Sequence, residues 1–372
     1  MLLSVLIFIA TLSLLVLAHE FGHYWMARKS GTPVEEFGVG FPPKLWSFKR
    51  GETEYSINAI PLGGFVRLTG ESEQSDDPNA FNKKPKLWRA GILIGGVTMN
   101  MLVAYFIFAI GFMVGMPVAT SPSDPQLAKL KGTNVEIYSV MPDSPASLAG
   151  IMPGDRIVTI NNEPVVTVEM VTNYIRQTAD NEKLNLEIAR GGEKKIVEVE
   201  PKVLQGFSGN KALGINLTMV GTLQLNPLSA LKQAAISTYD TTYSIVSTLG
   251  SILGNLFSGK ASEVDVSGPV GVAVMTSQAS KLGFGYFVQF VAMLSINLAV
   301  INILPFPALD GGRLLFLAIE AIIRRPIKRT WEIAIHNLGF LVLLFAVVLV
   351  TYQDVVRFGG GILQVAKSWL PF

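Results

Sequence analysis

Four strongly apolar stretches of this chain carry no charged side chain: Met1 to Ala18, Ala90 to Met116, Phe284 to Leu304 and Leu338 to Tyr352. A helix needs about 20 apolar residues to cross a hydrocarbon core of about 30 Å, and Ile333 to Asn337 extends the last block toward that length. The sequence therefore predicts four transmembrane helices. Over all 372 residues only 16% are charged and 49% are hydrophobic, against about a quarter charged in soluble domains. Disorder, a disulfide scaffold and nucleic-acid binding are excluded as starting points: the net charge is +2 and cysteine is absent. Any bound metal must then rest on nitrogen or oxygen ligands. The first block has the length of a secretory signal but lacks the basic start and small-residue cleavage site of one, so it is read as a retained span.

Basic residues near span ends set orientation. Ten lie between the first two spans, and Arg313, Arg324, Arg325, Lys328 and Arg329 crowd the loop between the last two. Both loops are expected to be cytoplasmic, which puts the region between spans 2 and 3 outside. The expected segments are 1–23 (first span), 24–89 (a membrane-associated β region on the cytoplasmic side), 90–116 (second span), 117–217 (an extracytoplasmic α/β domain), 218–283 (amphipathic and linker helices), 284–304 (third span), 305–332 (cytoplasmic loop), 333–352 (fourth span) and 353–372 (outer tail).

Within 117–217, Val135 to Tyr138, Arg156 to Ile160 and Leu184 to Ile188 alternate like strands, with Asn161-Asn162 and Gly191-Gly192 as turns. Residues 225–257 place Leu228, Leu231, Ile236, Tyr239 and Tyr243 at near-helical spacing, as a helix lying on the membrane surface or packing on the small domain would. In the inner loop, Lys44 to Phe48, a turn at Arg50-Gly51 and Thr53 to Ile60 predict a hairpin, with Phe65 to Leu68 as a further strand. Its Trp46, Phe48, Tyr55 and Ile57 are too apolar for a solvated hairpin. The acidic stretch Glu71 to Pro78 reads as a solvated loop.

The chemistry concentrates in His19-Glu20-Phe21-Gly22-His23 at the inner end of span 1. Two histidines four apart share a helix face and can hold one zinc ion, and the glutamate between them can take a proton from a water that the metal activates. Two of the three histidines of the chain are here, and ionisable residues at membrane depth mark function. Zinc hydrolases use three protein ligands. The best third candidate is Asp310, which follows Asn302-Ile303-Leu304-Pro305-Phe306-Pro307-Ala308-Leu309 at the inner end of span 3. There the prolines break the helix and Gly311-Gly312 frees the backbone. His336 is the rival, and Glu35 and Glu36 are weaker ones. The extended soluble zinc-protease motif does not apply, because its third histidine position is Lys29.

With His19 to His23, Pro61-Leu62-Gly63-Gly64-Phe65-Val66, Ser267-Gly268-Pro269-Val270-Gly271 and Asn302 to Gly312 in this order, the chain resembles the site-2 protease family of intramembrane zinc metalloproteases, in its bacterial branch. It departs where relatives often have a proline after a glycine of span 2: here Gly96-Val97-Thr98-Met99-Asn100. The resemblance implies a polytopic α-helical membrane protein of four transmembrane helices, with a membrane-associated β-hairpin region and one extracytoplasmic PDZ α/β domain, the last carried by Ser144 to Ile157. It implies one Zn2+ per chain on His19, His23 and Asp310, Glu20 as general base, and substrate contacts at Gly63, Gly64, Phe65, Asn297 and Asn302. Asn297 and Asn302 are open to a plainer reading as bonds between spans. Residence in the bacterial inner membrane follows, with the active site near the cytoplasmic face. So do transmembrane substrates such as anti-sigma factors or signal-peptide remnants, a peptide ligand for the PDZ domain, and no nucleic acid. The competing classes are an inactive PDZ membrane scaffold, which the intact His19, Glu20, His23 and Asp310 argue against, and a metal transporter, which would need polar residues through several spans.

Overall fold

The computed structural model describes residues 2–71, 75–120, 130–179, 181–204, 210–258, 267–325 and 327–367. In chain order the elements are α1 (Leu2–Ser30), β1 (Val34–Arg50), β2 (Thr53–Leu68), α2 (Lys86–Val114), β3 (Met116–Thr120), β4 (Lys131–Val140), α3 (Pro145–Leu148), β5 (Arg156–Ile160), β6 (Glu163–Pro164), α4 (Val168–Gln177), β7 (Leu184–Arg190), β8 (Glu193–Val199), β9 (Lys202–Val203), β10 (Lys211–Ala212), β11 (Ile215–Leu223), α5 (Pro227–Phe257), α6 (Pro269–Leu282), α7 (Phe284–Ile303), α8 (Asp310–Ile323) and α9 (Arg329–Lys367). They form two compact units, one of residues 1–108, 234–277 and 290–372, the other of 109–233 and 278–289.

Four helical stretches are long and apolar enough to cross a membrane: Val5–Ser30, Lys86–Val114, Phe284–Ile303 and Thr330–Arg357. The chain is a multi-pass membrane protein. Its last helix shows why lipid is the solvent, since Phe340, Leu341, Phe345 and Val348 are all more than half exposed, an apolar surface that water would not tolerate. That helix continues to Lys367, past the expected end of the fourth span at 352, and the expected loop 305–332 contains α8.

Without a hydrophobic drive between helices in lipid, close approach depends on small residues and internal hydrogen bonds. In the first unit α1 meets α2 at Gly22 and Gly95, where a Cβ on Gly95 would lie 2.7 Å from the Gly22 carbonyl oxygen. Ser295 Oγ on α7 donates to the Asn100 carbonyl of α2 at 2.8 Å. The carboxylate of Asp354 on α9, buried at 4% exposure, accepts the Gly271 N–H at the start of α6 at 2.7 Å. Gly268 and Gly271 of the Ser267 to Gly271 motif leave room for it.

The inner hairpin is longer than expected and folds back on itself. Residues 36–39 of β1 pair on one side with 54–57 and on the other with 64–67 of β2, while 46–50 pair with 53–57. The result is a small mixed sheet in which 36–39 runs parallel to 54–57 and antiparallel to 64–67, with 44–50 and 64–68 as its outer segments. The reversal in β1 falls at Gly40, whose φ of 77° and closeness to the Ile60 carbonyl leave no place for a side chain. Trp46, Phe48, Ile57 and Ile60 remain exposed.

The second unit is built on an antiparallel sheet in the order β3-β11-β4-β5-β7-β8, with β6 beside β5. Alternate residues such as Val135 and Ile137, and Leu186 and Ile188, point inward, joined by Ile157 and Ile160 on either side of a register shift in β5, and α4 closes the core with Val171 and Ile175. This is the PDZ-like domain. Its turn before β5 is held by Asp155, fully buried, which accepts from Met152 N and from Arg190 Nε and Nη2 at 2.8, 2.6 and 2.7 Å. Arg190→Ala leaves that carboxylate buried without its cation. We expect a loss of about 3 kcal/mol in denaturant unfolding of the purified protein, with Arg190→Lys intermediate.

Candidate metal centre

The motif helix α1 carries no proline and keeps its 3.6-residue period through the motif, so His19 and His23 fall on one face. Both are 7% exposed. After α7 ends at Ile303 the chain makes a tight turn. Leu304, Phe306 and Leu309 N–H groups bond to Ile301, Leu304 and Phe306 carbonyls, and Ala308 sits at φ 80°. Asp310 then opens α8. Gly311 and Gly312 lie so close to the Ile303, Leu304 and Phe306 carbonyls that no side chain fits at either position.

This turn brings Asp310 Oδ2 to 3.0 Å from His19 Nε2 and 3.2 Å from His23 Nε2, and the two Nε2 atoms lie 3.1 Å apart. His23 Nδ1 donates to the Ile92 carbonyl at 2.8 Å, which leaves the neutral ring with a lone pair on Nε2. That lone pair faces a carboxylate oxygen, an arrangement that calls for a cation or proton between them. A tetrahedral zinc with bonds of about 2.0–2.1 Å places neighbouring ligand atoms about 3.3 Å apart, close to the three separations found. The donor set of two imidazoles and a carboxylate and the second bond on His23 also suit the metal. Among the described residues, these three form the one candidate metal group.

Glu20 stands beside them, its Oε2 accepting the Val66 N–H of β2 at 3.1 Å. Glu20, His19, His23 and Asp310 line a cavity of about 460 Å³, together with Gly64, Phe65, Asn100, Asn302 and Arg313. Of the expected substrate contacts, Gly64, Phe65 and Asn302 therefore line the cavity. Gly63 and Asn297 are not among its lining residues: Gly63 N donates to Ser13 Oγ at 3.3 Å. The rival ligands lie elsewhere. His336 Nδ1 accepts the Ala308 N–H at 2.9 Å, Glu36 is paired with Lys44 and Arg67, and Glu35 is exposed.

Three features escaped the sequence reading. A Cβ at Gly96 would lie 2.5 Å from His23 Nε2 and 2.7 Å from His19 Nε2, so this glycine opens the space where the imidazoles converge. Its signals were the small-residue pair Gly95-Gly96 and its place at the head of the span-2 pattern Gly96 to Asn100, neither of which pointed to the imidazoles. Asn100, fully buried, has neither side-chain polar atom paired with protein. Glu71, expected in a solvated loop, forms an ion pair with Arg313 at the cavity wall. The correction has a physical reason: Arg313 lies one turn beyond Asp310 and needs an anion where it is half-enclosed.

A histidine pair, a glutamate and a carboxylate gathered at a cavity among membrane-spanning helices define a membrane-embedded metallohydrolase. The chain matches the family model described as "Peptidase family M50" over residues 7–346. It is 35% identical to a "Putative zinc metalloprotease" of Clostridium perfringens over 92% of this chain and 96% of that one. It is 30% identical to the zinc metalloprotease RasP of Geobacillus kaustophilus, over 95% and 98% of the two chains. A PDZ domain of the SdrC-like protein of Listeria innocua aligns at 19% identity with 23% of this chain and 92% of that one, with a TM-score of 0.21. The chain belongs to peptidase family M50, the site-2 family of zinc metalloproteases.

Gly96→Ala is expected to lower zinc affinity by at least about 100-fold, because the added methyl occupies the space between the imidazoles. Metal content of the purified variant, against Gly91→Ala as a control on the same helix, checks this.

Proposed function

We propose that this peptidase cuts single-span membrane proteins inside the bilayer, near its cytoplasmic face, with His19, His23 and Asp310 holding one zinc ion and Glu20 acting as general base. The observation that carries the reading is the convergence of three ligand atoms within 3.2 Å of one another, on helices long enough to span the membrane, with a glutamate one residue from the first ligand. Zinc held there supplies Lewis acidity toward a carbonyl oxygen and toward water.

The protein's own residues do the rest. A transmembrane helix resists hydrolysis because its carbonyls are hydrogen-bonded and dry, so the substrate must be unwound and held extended. The outer segment 64–68 of the inner sheet, which lines the cavity with Gly64 and Phe65, suits an added strand paired through the main chain. Asn302 offers a donor and an acceptor to the unwound backbone, and Asn297 serves the segment entering it. Gly63, at φ 82°, sets the direction in which 64–68 leaves. Glu20 removes a proton from the attacking water and returns it to the leaving amine.

The substrates we favour are anti-sigma-factor-like proteins already trimmed outside, or signal-peptide remnants. The PDZ-like domain, placed outside by the basic loops, screens them by binding peptide ends. The setting is the bacterial inner membrane.

Glu20→Gln is expected to lower cleavage of a model membrane substrate by about 10²–10⁴ while keeping zinc, whereas Asp310→Ala loses zinc as well. Cleavage that persists in Glu20→Gln would sink the mechanism. Orientation is tested separately, and the absence of cysteine makes it simple. In intact cells a membrane-impermeant thiol reagent should label Lys195→Cys and leave Lys83→Cys unlabelled; the reverse pattern refutes the assigned sides.

A further inference from the structure

We infer that His336 is a positioning residue for Asp310: by accepting the Ala308 N–H, it holds the turn after α7 in the conformation that delivers the carboxylate to His19 and His23. The inference rests on the reading that these three residues hold the metal, and adds a group on the fourth apolar helix to the apparatus.

Pro305 and Pro307 have no N–H, and the amides of Leu304, Phe306 and Leu309 find carbonyls nearby. Ala308 differs. Its N–H goes to a side chain on another helix, His336 Nδ1, at 2.9 Å. Ala308 is also in the left-handed region, at φ 80°, which a residue with a Cβ adopts only when its surroundings hold it there. Two residues later comes Asp310. The strained residue that sets the chain direction and the amide that His336 takes are thus the same one.

The surroundings of His336 fit a fixed acceptor. A backbone N–H can only donate, so Nδ1 must present its lone pair and the neutral ring carries its proton on Nε2. The ring lies against Phe316 of α8, with centroids 5.4 Å apart. One turn along α9, Gly339 comes so near Pro307 that a Cβ would lie 2.7 Å from the Pro307 carbonyl oxygen. The helix therefore grips the turn at two consecutive residues, by shape at Pro307 and by hydrogen bond at Ala308. A lone histidine on an apolar helix, which sequence reasoning set up as a rival ligand, serves the ligand instead.

Two readouts test this, the first independent of metal. In metal-free protein, amide exchange of the 304–309 turn is compared among wild type, His336→Leu, which fills the space without an acceptor, and His336→Asn, whose Oδ1 can take the place of Nδ1. We expect exchange at least about tenfold faster in His336→Leu, the weight of one buried hydrogen bond, and near wild type in His336→Asn. The second readout is zinc affinity by chelator competition. We expect a fall of about 10–100-fold in His336→Leu, little change in His336→Asn, and recovery of most of the loss when Ala308→Gly is added to His336→Leu, because glycine adopts positive φ without support. Unchanged exchange in His336→Leu, an equal loss in His336→Asn, or no recovery with Ala308→Gly overturns the inference. Asp310→Ala is the separate control. Full zinc in that variant refutes the ligand set, while the exchange comparison still decides whether His336 holds the turn.

Discussion

Everything at the centre of this molecule depends on keeping three electron-rich atoms within 3.2 Å of one another at a place where water is scarce. Two imidazole lone pairs and a carboxylate repel each other when pressed together, and the low dielectric of a membrane interior makes that repulsion larger. A cation turns the same crowding into an attraction. The surrounding structure holds each of these donors in place. The Ile92 carbonyl fixes the ring of His23, the Val66 amide fixes Glu20, and a tight turn fixes Asp310.

Glycine makes the crowding sterically feasible. The motif helix lies so close to α2 that Gly22 and Gly95 meet backbone to backbone, and Gly96 leaves the imidazoles room to converge. At the other side, Gly311 and Gly312 let the first turn of α8 press against the end of α7. In lipid this closeness has a second use, because tight backbone contact replaces the hydrophobic drive that would join helices in water.

The features legible in the sequence were those written in one dimension. Runs of apolar residues marked the spans, a spacing of four put His19 and His23 on one face, and the position of Asp310 at the end of a long uncharged run placed it at their depth. The alternation of Val135 to Tyr138 and Leu184 to Ile188 marked strands of the small domain. What stayed hidden depends on distant segments meeting. Glu71 looked like one acid in a solvated loop because its partner Arg313 is 242 positions away. The hairpin was visible, but not its folding back, which needs the 36–39 segment to serve two neighbours at once. Gly96 reads as helix packing until the rings it accommodates are seen beside it. His336 carries the chemistry of a ligand, and only the amide facing it reveals a different use.

The ligands also join parts of the chain that the sequence keeps far apart. His19 belongs to the first apolar helix and Asp310 to the segment after the third, 291 positions later, and the intervening residues include the entire PDZ-like domain. An ion bound between them acts as a clasp on a very long loop. Closing such a loop is entropically unfavourable, and a metal that binds only the closed form favours that closure by its own binding free energy. An ion held by these three residues would thus be a mechanical part of the membrane assembly as well as a chemical one. Stripping such an ion would then loosen the seam between α1 and the start of α8, beyond the three atoms it touches.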